Sequence, residues 1–202
     1  MKRLIALALL AALALLAALA GGGGKATAQV DPRPDGLGMY FDTGATVYCR
    51  EAVTGPVSLY LILTNCSQPS GISGWECHAT YDIPPGCYEI GWTLAEGSSN
   101  ESTAPDFVVS LATPMPNAPT MLLATLGLLI FCPDAIFFYL GPADSPSIPG
   151  LPAYAVGDDP GIMIPLHLIS GNPDFPVASL NDWCFSADAE ETSFGSIKAL
   201  YR

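Results

Sequence analysis

The sequence is short of positive charge. Its 202 residues include 7 lysines and arginines against 19 aspartates and glutamates, which gives a net charge of −12. A protein that binds nucleic acid neutralises phosphates with basic side chains, and docking on anionic lipid needs the same kind of charge. The composition therefore excludes nucleic acid as a partner and argues against a membrane surface. A net negative charge of this size is most simply explained as keeping the protein soluble.

Histidines and catalytic motifs are scarce as well. His78 and His167 are the two histidines. Glu76 and His78 lie two residues apart and offer two metal ligands, but a catalytic zinc normally has three protein ligands, so a solvated strand face is the favoured interpretation. No G-x-S-x-G nucleophile elbow occurs. Paired carboxylates for glycoside hydrolysis stay an alternative without a distinguishing signal, because 19 acids give many chance pairs. We predict a non-enzymatic protein with no catalytic residues and no cofactor.

Long helices are disfavoured in the body of the chain, because it carries 19 prolines and a proline inside a helix removes a donor and clashes with the preceding turn. Residues 57–65 alternate between apolar and polar side chains, and so do residues 71–82. Residues 121–132 are apolar at both parities, which predicts a central strand covered on both faces. About eight to ten short strands separated by turns predict an all-β, antiparallel β-sandwich.

The first 28 residues have the pattern of a signal peptide. A basic start is followed by an apolar run over residues 4–20 and by Ala26-Thr27-Ala28, which fits signal peptidase cleavage after Ala28, with Ala20 as the second choice. A membrane anchor is the disfavoured alternative, since the run is shorter than the ~20 residues of a spanning helix. We therefore predict a bacterial protein that is secreted or periplasmic and has no membrane span after cleavage.

Six cysteines follow the predicted cleavage site, and in an exported chain they predict up to three disulfides. Cys66 and Cys77 flank a short turn and are candidates to pair across a hairpin. Cys87 has the opposite parity to the apolar residues of its predicted strand, which disfavours a bond to Cys77. The disulfide candidates are Cys49, Cys66, Cys77, Cys87, Cys132 and Cys184.

Two further features are candidate ligand sites. Asp158 and Asp159 lie side by side in the loop 157–161, which makes them a candidate calcium site, although the loop lacks the D-x-[DN]-x-[DN]-G pattern and an ordinary acidic turn is the default. Trp75 and Trp92 fall on the apolar parities of their strands and are predicted to pack in the core. Trp183 is the candidate for an exposed platform that stacks on a sugar ring.

The predicted domain organisation has three parts: a signal peptide (1–28), a β-sandwich domain (29–185) and an acidic linker with an amphipathic tail (186–202). In the tail, Phe194, Ile197 and Tyr201 recur at helical spacing. Two interpretations are open. The tail is either a short helix packed on its own domain or a detachable signal for sorting.

Residues 57–65, followed by Gly71-Ile72-Ser73-Gly74-Trp75-Glu76 and a further aromatic strand, resemble the opening of cohesin-type and carbohydrate-binding-module sandwiches. The chain is also similar to exported proteins of environmental bacteria. The resemblance implies an immunoglobulin-like, cohesin-like or jelly-roll sandwich. Cohesins imply a dockerin protein as partner, and the module families imply polysaccharide. We predict a secreted or cell-surface structural or interaction module, with a carbohydrate-binding module as the alternative and a glycoside-processing enzyme behind both.

Overall fold

The computed structural model describes residues 31–51, 53–182 and 184, and all regular structure in them is β. No helix among these residues is long and apolar enough to span a bilayer. The predicted signal peptide, the tail 186–202 and Trp183 lie outside the described residues. The strands are β1 (Gly36–Tyr40), β2 (Cys49–Arg50), β3 (Gly55–Thr64), β4 (Ile72–Thr80), β5 (Cys87–Leu94), β6 (Ser98–Asn100), β7 (Asp106–Met115), β8 (Thr120–Ile130), β9 (Ile136–Gly141), β10 (Ala153–Val156), β11 (Met163–Pro165), β12 (His167–Leu168) and β13 (Ala178–Leu180).

The strands form two sheets that pack face to face as a β-sandwich, which confirms the predicted fold class. One sheet has five strands in the order β12-β1-β3-β8-β5. In the second sheet β4 is central. On one side it pairs with β7, which pairs with β6. On the other side it pairs with β10, followed by β11, and with β9, followed by β13 and β2. The sheets are not wholly antiparallel, because β1 pairs with β12 and β2 pairs with β13 in parallel. Both pairs join strands that are far apart in sequence, as parallel pairing requires.

The core lies between the two sheets and follows the predicted alternation. Val57, Leu59, Leu61 and Leu63 of β3 all point into it and are buried. The core also holds an aromatic group, in which the centroid of the Phe107 ring lies 5.4 Å from that of Trp75 in a tilted contact and 4.9 Å from that of Trp92 in an edge-on contact. The predicted core position of Trp75 is confirmed, and Trp92 is half-buried and packs against the core.

Strand β8 is central in its sheet, as predicted, but it is not covered on both faces. Leu126, Leu128 and Ile130 are buried on the inner face. On the outer face Leu122 is exposed and Leu129 is half-buried. No layer of the described chain packs over this part of the sheet, and this is why the prediction of a two-sided strand fails.

Two disulfides form, Cys49–Cys184 and Cys87–Cys132. The predicted pairing of Cys66 with Cys77 is wrong, since both are free and buried. That pairing assumed that the strands flanking the turn 66–71 form a hairpin. In the structure β3 and β4 belong to different sheets, so the chain crosses between layers at this turn and the two cysteines do not face each other.

Candidate functional site

One half of the outer face of the five-stranded sheet is covered by the chain itself. Gly38 of β1 lies under the side chain of Ile169, so closely that an added Cβ would come within 2.6 Å of the Ile169 Cδ1. Next to it, Tyr40 and Ile62 are buried in a small cluster with Ala45. This half of the face is therefore a second, minor core, and it offers no surface to a partner.

The other half of this face is uncovered and apolar. Tyr88, Ile90 and Phe131 are 58%, 69% and 61% exposed. Tyr88 pairs with Leu129 across β5 and β8, and the buried Leu128 and Ile130 alternate with Leu129 and Phe131, which places the latter two on the outer face. We call Tyr88, Ile90, Leu129 and Phe131 the outer patch.

Ile90 shares the parity of Tyr88 and lies with it on the outer face. The register between β5 and β8 shifts between Glu89 and Gly91, and this bulge turns Trp92, which has the same parity, to the inner face opposite Leu126. Ile90 then lies over Gly127 of β8, where an added Cβ would meet the Ile90 Cβ at 3.2 Å. The absence of a side chain at position 127 thus provides the room for Ile90, and a larger residue there would push it off the sheet.

The rim of the outer patch is acidic at one end. At the Phe131 end, the patch runs into a cleft of about 590 Å³ whose lining includes Glu51 and Asp182. A contiguous apolar area with a polar rim is typical of a site that binds another molecule.

The loop 142–152 packs over Glu76 on the outer face of the second sheet. Glu76 was predicted on a solvated face, but its residue is 3% exposed. Its carboxylate accepts hydrogen bonds from the Ser147 backbone N–H at 2.7 Å and from the Ser147 Oγ at 2.9 Å. The prediction of a solvated face for Glu76 is therefore wrong, because strand parity does not report a loop that folds back over the polar side.

We expect Glu76→Ala to lower the free energy of unfolding by about 2 kcal/mol, because it removes two hydrogen bonds to a charged acceptor. It should also speed proteolytic cleavage within the loop 142–152. Urea unfolding and limited proteolysis measure the two effects. Asp82→Ala on the same strand side is the control, since Asp82 is exposed; equal cleavage of both variants would contradict the role of Glu76.

His78 lies beside two carboxylates that are distant in sequence. Its Nδ1 is 3.4 Å from the Asp106 Oδ1 and 3.2 Å from the Asp144 Oδ1. Asp106 is buried, and it accepts hydrogen bonds from the Ser102 Oγ at 2.6 Å and from the Asp144 N–H at 2.9 Å. Burial raises the pKa of Asp106, but these hydrogen bonds and His78 outweigh it and hold that pKa below its ordinary value. Because the Ser102 hydroxyl bonds the carboxylate and not the imidazole, the group is no catalytic triad.

Spacing in the sequence pairs His78 with Glu76 and does not indicate Asp106 or Asp144. Asp106 begins β7, whose pairing with β4 places it directly opposite His78. Asp144 comes from the loop after β9. Local spacing carries no signal for either residue, because strand register and a loop path bring them to His78.

The remaining predicted site residues lie apart from this cluster. Asp158 accepts a hydrogen bond from the Ser70 Oγ at 2.7 Å, and Asp159 accepts one from the Gly161 N–H at 3.2 Å within its own turn. Among the described residues, Asp158 and Asp159 are not joined by a further histidine, cysteine or acidic side chain that could complete a metal site. The calcium site there stays a prediction, as does the Trp183 platform.

The second histidine, His167, contacts the segment that precedes β1. The His167 Nε2 lies 3.0 Å from the Asp31 Oδ2, and the Arg33 guanidinium donates to the same carboxylate at 2.8 Å. The hydrogen bond from Arg33 outweighs burial and holds the pKa of Asp31 well below its ordinary value. This arrangement holds the segment before β1 against β12, so His167 serves a structural contact.

No protein-family model matches the chain, and no curated protein matches it by sequence. Among solved structures it is similar to the sixth cohesin of scaffoldin B from Acetivibrio cellulolyticus, solved in complex with a mutant Cel5 dockerin, with 16% identity, a TM-score of 0.43, and coverage of 72% of this chain and 98% of that one. It is also similar to a type I cohesin, Coh-OlpC, from Clostridium thermocellum, solved in complex with a dockerin, with 10% identity, a TM-score of 0.45, and coverage of 75% and 96%. The likeness to cohesin-type sandwiches concerns the arrangement of the strands.

Proposed function

We propose that this protein is an exported, non-enzymatic module that binds a partner protein through the outer patch. The observation that carries the proposal is the set of three large apolar side chains, Tyr88, Ile90 and Phe131, each more than half exposed on one side of one sheet. Burying a side chain of this size contributes about 1.5–3 kcal/mol. Aromatic anchors of this kind also dominate the energetics of protein interfaces.

Charge defines the partner further. Arg33 and Arg50 are the basic residues of the described part of the chain, and neither lines the cleft beside the outer patch, whereas Glu51 and Asp182 lie in that cleft with Phe131. The complementary surface is therefore an apolar strip flanked by lysines or arginines. The same acidic rim opposes the docking of a second copy of this chain.

A non-enzymatic role is supported by how the reactive side chains are used. The Glu76 carboxylate is bound by Ser147. Burial raises the pKa of the Cys77 thiol far above its ordinary value, which keeps it protonated and unreactive. His78 and His167 both face carboxylates. The two disulfides support export, since such bonds persist in oxidising compartments.

Site-specific photo-cross-linking tests the proposal. A photoreactive phenylalanine analogue is placed at position 88 in the outer patch or, as the control, at the exposed position 113 of β7 in the other sheet. Each protein is irradiated together with the exported proteins of the producing cells. We expect a discrete protein adduct from position 88 that is absent from position 113, and that disappears when Ile90→Ser is combined with the probe.

Two results would overturn the proposal. One is the same set of adducts from positions 88 and 113, which would show that the outer patch has no selectivity. The other is binding on a glycan array that persists in Ile90→Ser and disappears in Trp183→Ala, which would establish the carbohydrate-binding alternative.

A further inference from the structure

We propose that His78, Asp106 and Asp144 form a binding site for a divalent cation of the zinc type, on the outer face of the second sheet. The His78 Nδ1 and one carboxylate oxygen from each aspartate all lie within 4.8 Å of one another. This site is separate from the outer patch, which belongs to the five-stranded sheet, and the two proposals stand or fall independently.

The distances fit a small tetrahedral ion. Nitrogen and oxygen ligands lie about 2.0–2.2 Å from zinc, so two ligand atoms on a tetrahedral ion are about 3.4 Å apart. The His78 Nδ1 is 3.4 Å from the Asp106 Oδ1 and 3.2 Å from the Asp144 Oδ1. Two of the three distances between ligand atoms therefore already match those on a zinc ion, and the third is within 4.8 Å.

The first carboxylate is held in place by its neighbours. Asp106 is buried, its Oδ2 accepts from Ser102, and its Oδ1 accepts from the Asp144 N–H. A carboxylate oxygen has two lone pairs, so the Asp106 Oδ1 retains one for a cation beside His78. Hydrogen bonds that orient a ligand in this way raise metal affinity.

The donor set selects the metal class. Calcium takes six to eight oxygen ligands and magnesium keeps most of its waters, whereas one imidazole with two carboxylates suits zinc and similar transition metals. Three protein ligands leave a fourth tetrahedral position, and Asp144, whose side chain is 76% exposed, lies at the protein surface. A bound ion would join three separate segments, namely β4, the start of β7 and the loop after β9.

Zinc titration of the chelator-treated full chain by isothermal calorimetry tests the proposal. We expect one site in the wild type, and at least ~100-fold weaker binding in His78→Ala and in Asp144→Asn, each of which removes a ligand. Ser102→Ala should weaken binding by roughly tenfold, as expected when a residue that orients a ligand is lost. His167→Ala is the matched control, because His167 also lies beside an acidic residue, Asp31.

Melting temperatures without zinc establish that each variant is folded, and the high exposure of Asp144 makes Asp144→Asn the safest of them. With cobalt in place of zinc, the visible absorption of the bound ion should disappear in Asp144→Asn and persist in His167→Ala. The proposal is overturned if the wild type does not bind zinc, if Asp144→Asn binds it as tightly as the wild type, or if His167→Ala abolishes binding. In each of those cases the cluster is a set of side-chain contacts and not a metal site.

Discussion

Joint replacement of Cys87 and Cys132 by alanine is expected to lower the free energy of unfolding by about 2–4 kcal/mol. The two cysteines are buried, and their bond closes a loop of sequence separation 45. It attaches the start of the edge strand β5 to the end of β8, so its loss both enlarges the unfolded ensemble and loosens the strand that carries Tyr88 and Ile90. Equilibrium unfolding in urea measures the change.

Thiol labelling under denaturing conditions without reductant provides the control. In the wild type it should modify Cys66 and Cys77, the free cysteines, and leave Cys87 and Cys132 unmodified. Labelling of Cys87, or a double variant that unfolds at the same urea concentration as the wild type, would contradict the assigned bond.

Phe107→Ala is expected to destabilise the domain by about 3–5 kcal/mol, the usual cost of truncating a fully buried phenylalanine. Phe107 lies in the core between Trp75 and Trp92, and its removal leaves a cavity that two rigid indole rings fill poorly. Urea unfolding monitored by tryptophan fluorescence measures the loss and reports on the same cluster.

Phe137→Ala is the matched control, because Phe137 lies in β9 with its side chain partly exposed. We expect it to cost about 1 kcal/mol or less. A Phe107→Ala variant as stable as Phe137→Ala would show that the aromatic cluster does not form the core of the sandwich.

The elements that sequence reasoning predicted are those in which local pattern and tertiary position agree. In β3 the apolar residues Val57, Leu59 and Leu61 alternate with residues of the outer face, and the strand lies in the sandwich as its period of two requires. Trp75 follows the same rule in β4. In both strands the side chains that face the core are apolar and recur at every second residue, so the sequence pattern is enough to predict their position.

Other features depend on contacts that no local pattern encodes. The segment containing β6 is polar and has no apolar alternation, and it forms a strand through its pairing with β7. Glu76 is buried by Ser147 from a distant loop. The partner of Cys87 is set by the register that places it opposite Ile130, close to Cys132.

Strand β8 carries the most informative disagreement. Apolar residues at both parities predicted cover on both faces, and the structure buries Leu128 but leaves Leu122 and Phe131 exposed. This pattern is typical of a strand with an apolar layer packed on each face, and the described chain supplies the layer on the inner face only. In the proposed function the partner protein supplies the other.

The measurement that tests this account most directly is the affinity of the double variant Tyr88→Ser/Ile90→Ser for the protein that cross-links at position 88. The control is Leu151→Ser/Ile162→Ser, which removes two similarly exposed apolar side chains outside the outer patch. Because a central anchor residue contributes about 2 kcal/mol or more to binding, we predict a loss of at least ~100-fold for the patch variant, no loss for the control, and unchanged melting temperatures. Equal affinity of the patch variant and the wild type would contradict the account.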